Sequence, residues 1–206
     1  MTRNKDDLLI GGFGKLAQNV DATGRMIRDN APPIPVRKPI LTTQQRKEAI
    51  LKGKNADFKI VSNPSADGSK PWYTIDSYSE VKSNERIIER EAKKAGVDPD
   101  IVKAIVHLET TQGPYDRAAF GFKKTIRPMN IHAEYWKDLG YSREDLRDPE
   151  KNIQAGIKLL KRIQDRMPNA SAAKVTTIYN NLGARKVSGY GARVEQLLKE
   201  KPWKKR

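Results

Sequence analysis

The chain has 206 residues, with 40 Lys and Arg against 25 Asp and Glu, for a formal net charge of +15. Hydrophobic side chains make up 37%, enough to exclude a wholly disordered chain, and no run of about 18 apolar residues is present to span a membrane. Zero Cys excludes a disulfide framework, a thiolate metal site and a Cys nucleophile, and two His (His107 and His132) do not make a His-rich zinc site.

The charge is uneven, +4 over residues 1–80 and +11 over residues 81–206. Such a surplus favours polyanionic partners: nucleic acid, anionic lipid or an acidic cell-wall polymer. Near the N-terminus, Leu8-Leu9-Ile10 is too short for a secretory signal, which needs about 7–15 apolar residues.

Residues 1–80 read as a partly irregular N-terminal extension. Gly11-Gly12-Phe13-Gly14, Ala31-Pro32-Pro33-Ile34-Pro35 and the 62–68 stretch are rich in helix breakers. Between them the pattern allows short helices over 14–29 and 43–52, the second capped by Thr42 or Thr43. Trp72, Tyr73 and Ile75 suggest one extended segment. The whole reads as an arm packing on a domain, not as a second core.

From residue 81 to 200 the pattern becomes regular and all-α. Ser83 can cap a helix running to Ala95, closed by Gly96. Asp98-Pro99 opens the next, as N-cap and first-turn proline, with Ile101, Val102, Ile105, Val106 and Leu108 at 3.6-residue spacing. Pro128 starts a predicted third helix through Met129, Ile131, Tyr135, Trp136 and Leu139 to Gly140. Asp148-Pro149 repeats the cap-and-proline opening, and two further helices are predicted over 171–182 and 191–199. Residues 201–206 read as a solvated basic tail.

Glu109 lies four residues after Ile105 and eight after Ile101, so it shares their apolar face near the helix C-terminus. Partial desolvation and the negative end of the helix both favour the protonated carboxyl, as a general acid requires. Position alone also allows a Glu that is salt-bridged at the domain edge. His107 falls on the opposite side from Ile105 and Glu109, which predicts a surface role. Trp136 lies on the apolar face of its predicted helix, which favours a core position over sugar stacking.

Several blocks then occur in order. Ile105-Val106-His107-Leu108-Glu109-Thr110 is an apolar helix ending in Glu and a hydroxyl residue. It is followed by Pro128-Met129-Asn130-Ile131, by the 148–157 stretch Asp-Pro-Glu-Lys-Asn-Ile-Gln-Ala-Gly-Ile, by Ile178-Tyr179-Asn180-Asn181-Leu182-Gly183, and by Tyr190-Gly191-Ala192-Arg193-Val194. Together they resemble the lytic transglycosylases of the lysozyme-like superfamily, over about residues 84–199. The resemblance implies an all-α, lysozyme-like helical domain and cleavage of the bond between N-acetylmuramic acid and N-acetylglucosamine in peptidoglycan.

Carried over residue by residue, Glu109 is the acid that protonates the glycosidic oxygen and then acts as base on the muramic acid 6-hydroxyl. Tyr179 donates the hydrogen bond that orients the carboxyl, and Asn180 supports the cleft wall. Met129 and Asn130 contact the sugar's N-acetyl group. Thr110 keeps the hydroxyl of the family's Ser, whereas Arg127-Pro128 and Asn130 depart from its Gly-Leu and Gln. The 115–126 loop is unlike the family's and carries Arg117, Lys123 and Lys124, either to bind the acidic stem peptide or to shape a different subsite.

Two carboxylates are the usual requirement for glycoside hydrolysis, about 5 Å apart or about 6.5–9.5 Å apart. Asp116 is the candidate second acid, as in goose-type lysozymes, so a hydrolytic outcome stays open beside the single-acid one. No metal or organic cofactor is required. The competing readings from another class are a basic nucleic-acid binder, for which no docking motif is present, and a non-catalytic wall-binding module. Lacking an export signal, the enzyme is expected to reach the wall as an antibacterial toxin of a contractile (type VI) secretion system or as a phage endolysin. An immunity protein over the Glu109 cleft and a secretion-system component are the partners of the first route.

Overall fold

The computed structural model describes residues 40–53, 56–70, 78–111 and 125–204. The predicted 14–29 helix, the Trp72–Ile75 segment, Asp116 and the 115–124 loop lie outside the described residues. The chain divides between Pro39 and Ile40, and the described residues all belong to the second unit.

Helix α1 (Thr43–Lys52) opens on a capping box. The Thr42 Oγ1 accepts from the Gln45 amide at 3.2 Å and Gln45 Oε1 accepts from the Thr42 amide at 2.8 Å. Gly53, with φ of 65°, ends it. The following extended stretch runs beside residues 185–187, with Val61 N donating to Arg185 O and Val187 N to Val61 O, each at 3.0 Å. Residues 40–70, placed in the arm by their sequence, contribute Ala49, Ile50, Phe58 and Ile60 to the domain's core.

Helices α2 (Ser79–Ser83) and α3 (Glu85–Ala95) are separated at Asn84, where one helix from Ser83 was predicted. The Asn84 side-chain amide donates to the Glu80 carbonyl and carboxylate, turning the chain there. Helix α4 (Pro99–Thr111) starts as predicted at Asp98-Pro99, and the Asp98 carboxylate accepts from the Asp100 amide at 2.9 Å. Every residue from Asp100 to Leu108 is buried, because neighbouring helices surround α4 on all sides. The predicted surface role of His107 is therefore corrected: it is fully buried, and its ring stacks on Tyr78 at 4.5 Å. A polar residue on a surrounded helix has no outward side.

The third predicted helix is replaced by a hairpin of β1 (Thr125–Ile126) and β2 (Ile131–His132), with Ile126 opposite Ile131. Its tight turn contains a cis Arg127–Pro128 bond and Asn130 at φ of 58°. That left-handed residue, which Asn tolerates better than most, reverses the chain before a helical turn can form. A single 3-10 turn (Lys137–Leu139) and another (Asp145–Arg147) lead to α5 (Pro149–Gln164). Trp136 is half-buried, its ring edge-on to Tyr135 at 4.9 Å.

Asp148 caps α5 by accepting from the Lys151 amide at 2.8 Å. Helices α6 (Ala172–Asn180) and α7 (Gly189–Glu200) pack against each other. Gly191 permits this, since a Cβ there would lie 2.2 Å from the Ala173 carbonyl oxygen. The basic tail is not free in solvent as predicted. Trp203 is 6% exposed, its indole donates to Asp100 Oδ1 at 3.1 Å, and Lys201 Nζ sits 2.7 Å from Asp100 Oδ2. The apolar indole draws the tail onto the start of α4.

Candidate active site

Glu109 sits in the last turn of α4, half-buried. Its Oε1 accepts a 2.9 Å hydrogen bond from the Tyr190 hydroxyl. Tyr190 occupies the first turn of α7, where Ser188 caps the helix by accepting from the Gly191 amide at 3.3 Å. The close approach at Gly191 thus delivers the adjacent tyrosine to the end of α4. Desolvation and the nearby Glu109 charge push the Tyr190 phenol well above its ordinary pKa, so it stays a donor throughout the neutral range.

Tyr179, on α6, feels the same two influences, and its phenol too is raised well above the ordinary value. Its hydroxyl donates to the Met129 carbonyl at 2.8 Å. A phenol has one proton to give; that of Tyr179 goes to the Met129 carbonyl, and it is the Tyr190 hydroxyl that donates to the Glu109 carboxylate. Tyr179 instead fastens the hairpin turn to α6.

That turn is fastened again from α5. The Asn152 Oδ1 accepts from the Met129 amide, and its Nδ2 donates to the carbonyls of Ile126 and Leu146, each at 2.9 Å. Both N–H donors and one acceptor site of the Asn152 side chain are spent on backbone, and it is fully buried. The Met129 side chain is also fully buried, against Gly156, where a Cβ would fall 2.3 Å from the Met129 sulfur. This corrects the sugar contact expected of Met129, whose thioether is enclosed in the core. Asn130, beside it in the turn, is half-exposed.

The Thr110 hydroxyl bonds back along its own helix, to the Val106 carbonyl at 2.8 Å and the His107 carbonyl at 3.1 Å. Asn180 is exposed at the end of α6. The structure therefore brings Glu109, Tyr179 and the Met129–Asn130 turn together. Tyr190 was quoted in the sequence only as part of a closing motif. It lies four residues before buried Val194, a spacing that places it on the core side of α7. Among the described residues no group of three or more His, Asp or Glu could hold a metal ion, and no helix is long and apolar enough to cross a membrane.

The family model described as the transglycosylase SLT domain matches residues 86–201. No curated protein and no solved structure matches the chain. The matched segment contains Glu109, both tyrosines, the hairpin and Asn152, and the chain belongs to the SLT transglycosylase domain family, whose members cleave glycosidic bonds of peptidoglycan.

Proposed function

We propose that Glu109 is the single catalytic acid of a lytic transglycosylase and that Tyr190 orients it. The observation that carries this reading is the 2.9 Å hydrogen bond from the Tyr190 hydroxyl to Glu109 Oε1. With Oε1 engaged as acceptor, the transferable proton belongs on Oε2. Glu109 gives that proton to the oxygen joining N-acetylmuramic acid to N-acetylglucosamine, and the bond from that oxygen to C1 breaks. The muramic acid 6-hydroxyl attacks C1 and returns its proton to the carboxylate, leaving a 1,6-anhydro end. The substrate supplies the nucleophile, so no second carboxylate is needed. On this reading Asn130, half-exposed in the hairpin turn, meets the sugar.

Glu109→Gln keeps the shape of the side chain and removes the transferable proton. Turbidity loss of purified cell wall should slow by about 10² to 10⁴-fold, with unchanged circular dichroism. Wild-type rates in the Gln variant would contradict the reading, and no turbidity loss from the unaltered protein would leave a wall-binding module.

The surplus of +15 suits a wall rich in lactyl and stem-peptide carboxylates, and we extend the proposal to an antibacterial effector delivered to rival cells. Toxicity confined to periplasm-targeted protein supports that extension. Equal toxicity from the cytoplasm contradicts it.

A further inference from the structure

Residues 40–63 precede the family-matched segment and are tied to it in two places, at the end of α5 through Arg162 and Arg166 and along the connection between α6 and α7, which leads to Tyr190. Arg46 is 1% exposed. Its guanidinium donates to the carbonyls of Leu182 at 2.8 Å, Ala184 at 2.7 Å and Lys59 at 3.0 Å. Among the described residues it pairs with no carboxylate. Burial, and then the nearby Arg185 charge, pull the guanidinium below its ordinary pKa.

A cation buried on carbonyl dipoles and, 5.5 Å away, the face of the Phe58 ring is a costly arrangement without a carboxylate, tolerated where a planar fork must tie several strands of backbone together. Further along, Val61 exchanges backbone hydrogen bonds with Arg185 and Val187, and Asn63 Nδ2 donates to the Val187 carbonyl at 2.9 Å. The held stretch, 182–187, begins three residues after Tyr179 and ends three residues before Tyr190. Only Ser188 and Gly189 separate Val187 from the tyrosine that touches Glu109.

We propose that Arg46 is a positioning residue for the glycan-cleaving reaction, acting through the α6–α7 connection to set the Tyr190 hydroxyl on Glu109. The 40–63 strap is on this view a working part of the catalytic domain. The inference rests on the Tyr190–Glu109 reading above.

A double-mutant cycle on the full-length protein, read as initial rates of cell-wall digestion, tests it at a temperature where each variant is folded. Arg46→Lys keeps the charge but loses the fork, and should slow the wild-type background about 10-fold and the Tyr190→Phe background less than twofold. Asn63→Asp, isosteric and half-buried, should show the same pattern at about 3-fold, so the cycle does not depend on Arg46→Lys folding. Ile88→Val, in the core of α3, should cost the same small factor in both backgrounds.

Equal fold losses in both backgrounds for the two strap variants would overturn the proposal, because a purely structural role multiplies. A slow Tyr190→Phe beside full-rate strap variants would overturn the proposal alone. A full-rate Tyr190→Phe would remove the Tyr190–Glu109 reading and this inference with it.

Discussion

Two tyrosines lie close to Glu109, and their single protons go to different acceptors, one to the carboxylate and one to the Met129 carbonyl. Their removal should therefore be separable. Tyr190→Phe loses a donor to an ionisable group and should slow the reaction by about 10 to 100-fold while moving Tm by no more than about 2 °C. Tyr179→Phe strips the donor from the Met129 carbonyl and should cost about 1–3 kcal/mol of stability, visible as a lower denaturant midpoint. Rate loss in Tyr179→Phe should follow from the loosened turn. If Tyr179→Phe lost activity at unchanged stability while Tyr190→Phe did neither, the two assignments would be exchanged. Glu109 was legible in the sequence because the apolar stripe puts its carboxylate on the inner face of α4 and the blocks that follow single it out from a salt-bridged Glu at the domain edge. Which tyrosine reaches it was not legible, because that depends on how closely α6 and α7 approach.

At the scale of elements, two glycines hold the site's neighbours in contact. A Cβ on Gly191 would meet the Ala173 carbonyl oxygen and the Thr177 hydroxyl at 2.2 Å each, and the carbonyl is backbone that cannot step aside. A Cβ on Gly156 would meet the Met129 sulfur at 2.3 Å, on the flexible part of an unbranched side chain, and the Met129 Cβ at 2.8 Å, which moves only with the turn. Gly191→Ala should consequently destabilise by about 3 kcal/mol or more and Gly156→Ala by about 1–2 kcal/mol, both measured by denaturant unfolding. The reverse order would show that the α6–α7 seam is looser than its geometry implies. The helix boundaries carried their own signals: Thr42 with Gln45, Asp98-Pro99, Gly96 and Asp148-Pro149 all sit where their local chemistry predicts. The hairpin was misread because Met129, Ile131, Tyr135, Trp136 and Leu139 imitate a helical stripe, whereas Asn130's left-handed backbone decides the path. His107 was misread for a related reason, since periodicity describes one buried face and α4 has no exposed one.

Over the whole molecule, the strap and the tail close on the family-matched domain from either side of it in sequence. The tail's clamp has a pH signature. Burial would raise the Asp100 carboxyl, but the Lys201 ammonium, the Trp203 indole and the Lys204 ammonium outweigh it and hold the group below its ordinary range. A carboxyl whose pKa is lower in the folded state stabilises the fold above its unfolded value, near 3.9, and that contribution fades as pH falls through the folded value. Asp100→Asn should thus lower Tm by roughly 4–8 °C at pH 7 and by progressively less below about pH 4. A Tm difference that stays constant down to pH 2 would assign the loss to packing instead of charge. Neither closure could be read from composition, since Arg46 and the 201–204 segment look like ordinary surface cations until their carbonyl and indole partners are placed.

Product analysis by mass spectrometry reaches the account's core directly, because it reports which oxygen attacks the muramic acid C1. Purified cell wall digested with the full-length protein should yield muropeptides carrying 1,6-anhydro ends, as a lone Glu109 working with the substrate's own 6-hydroxyl requires. Reducing ends, each heavier by one water, would mean that water is the nucleophile and that a second carboxylate takes part.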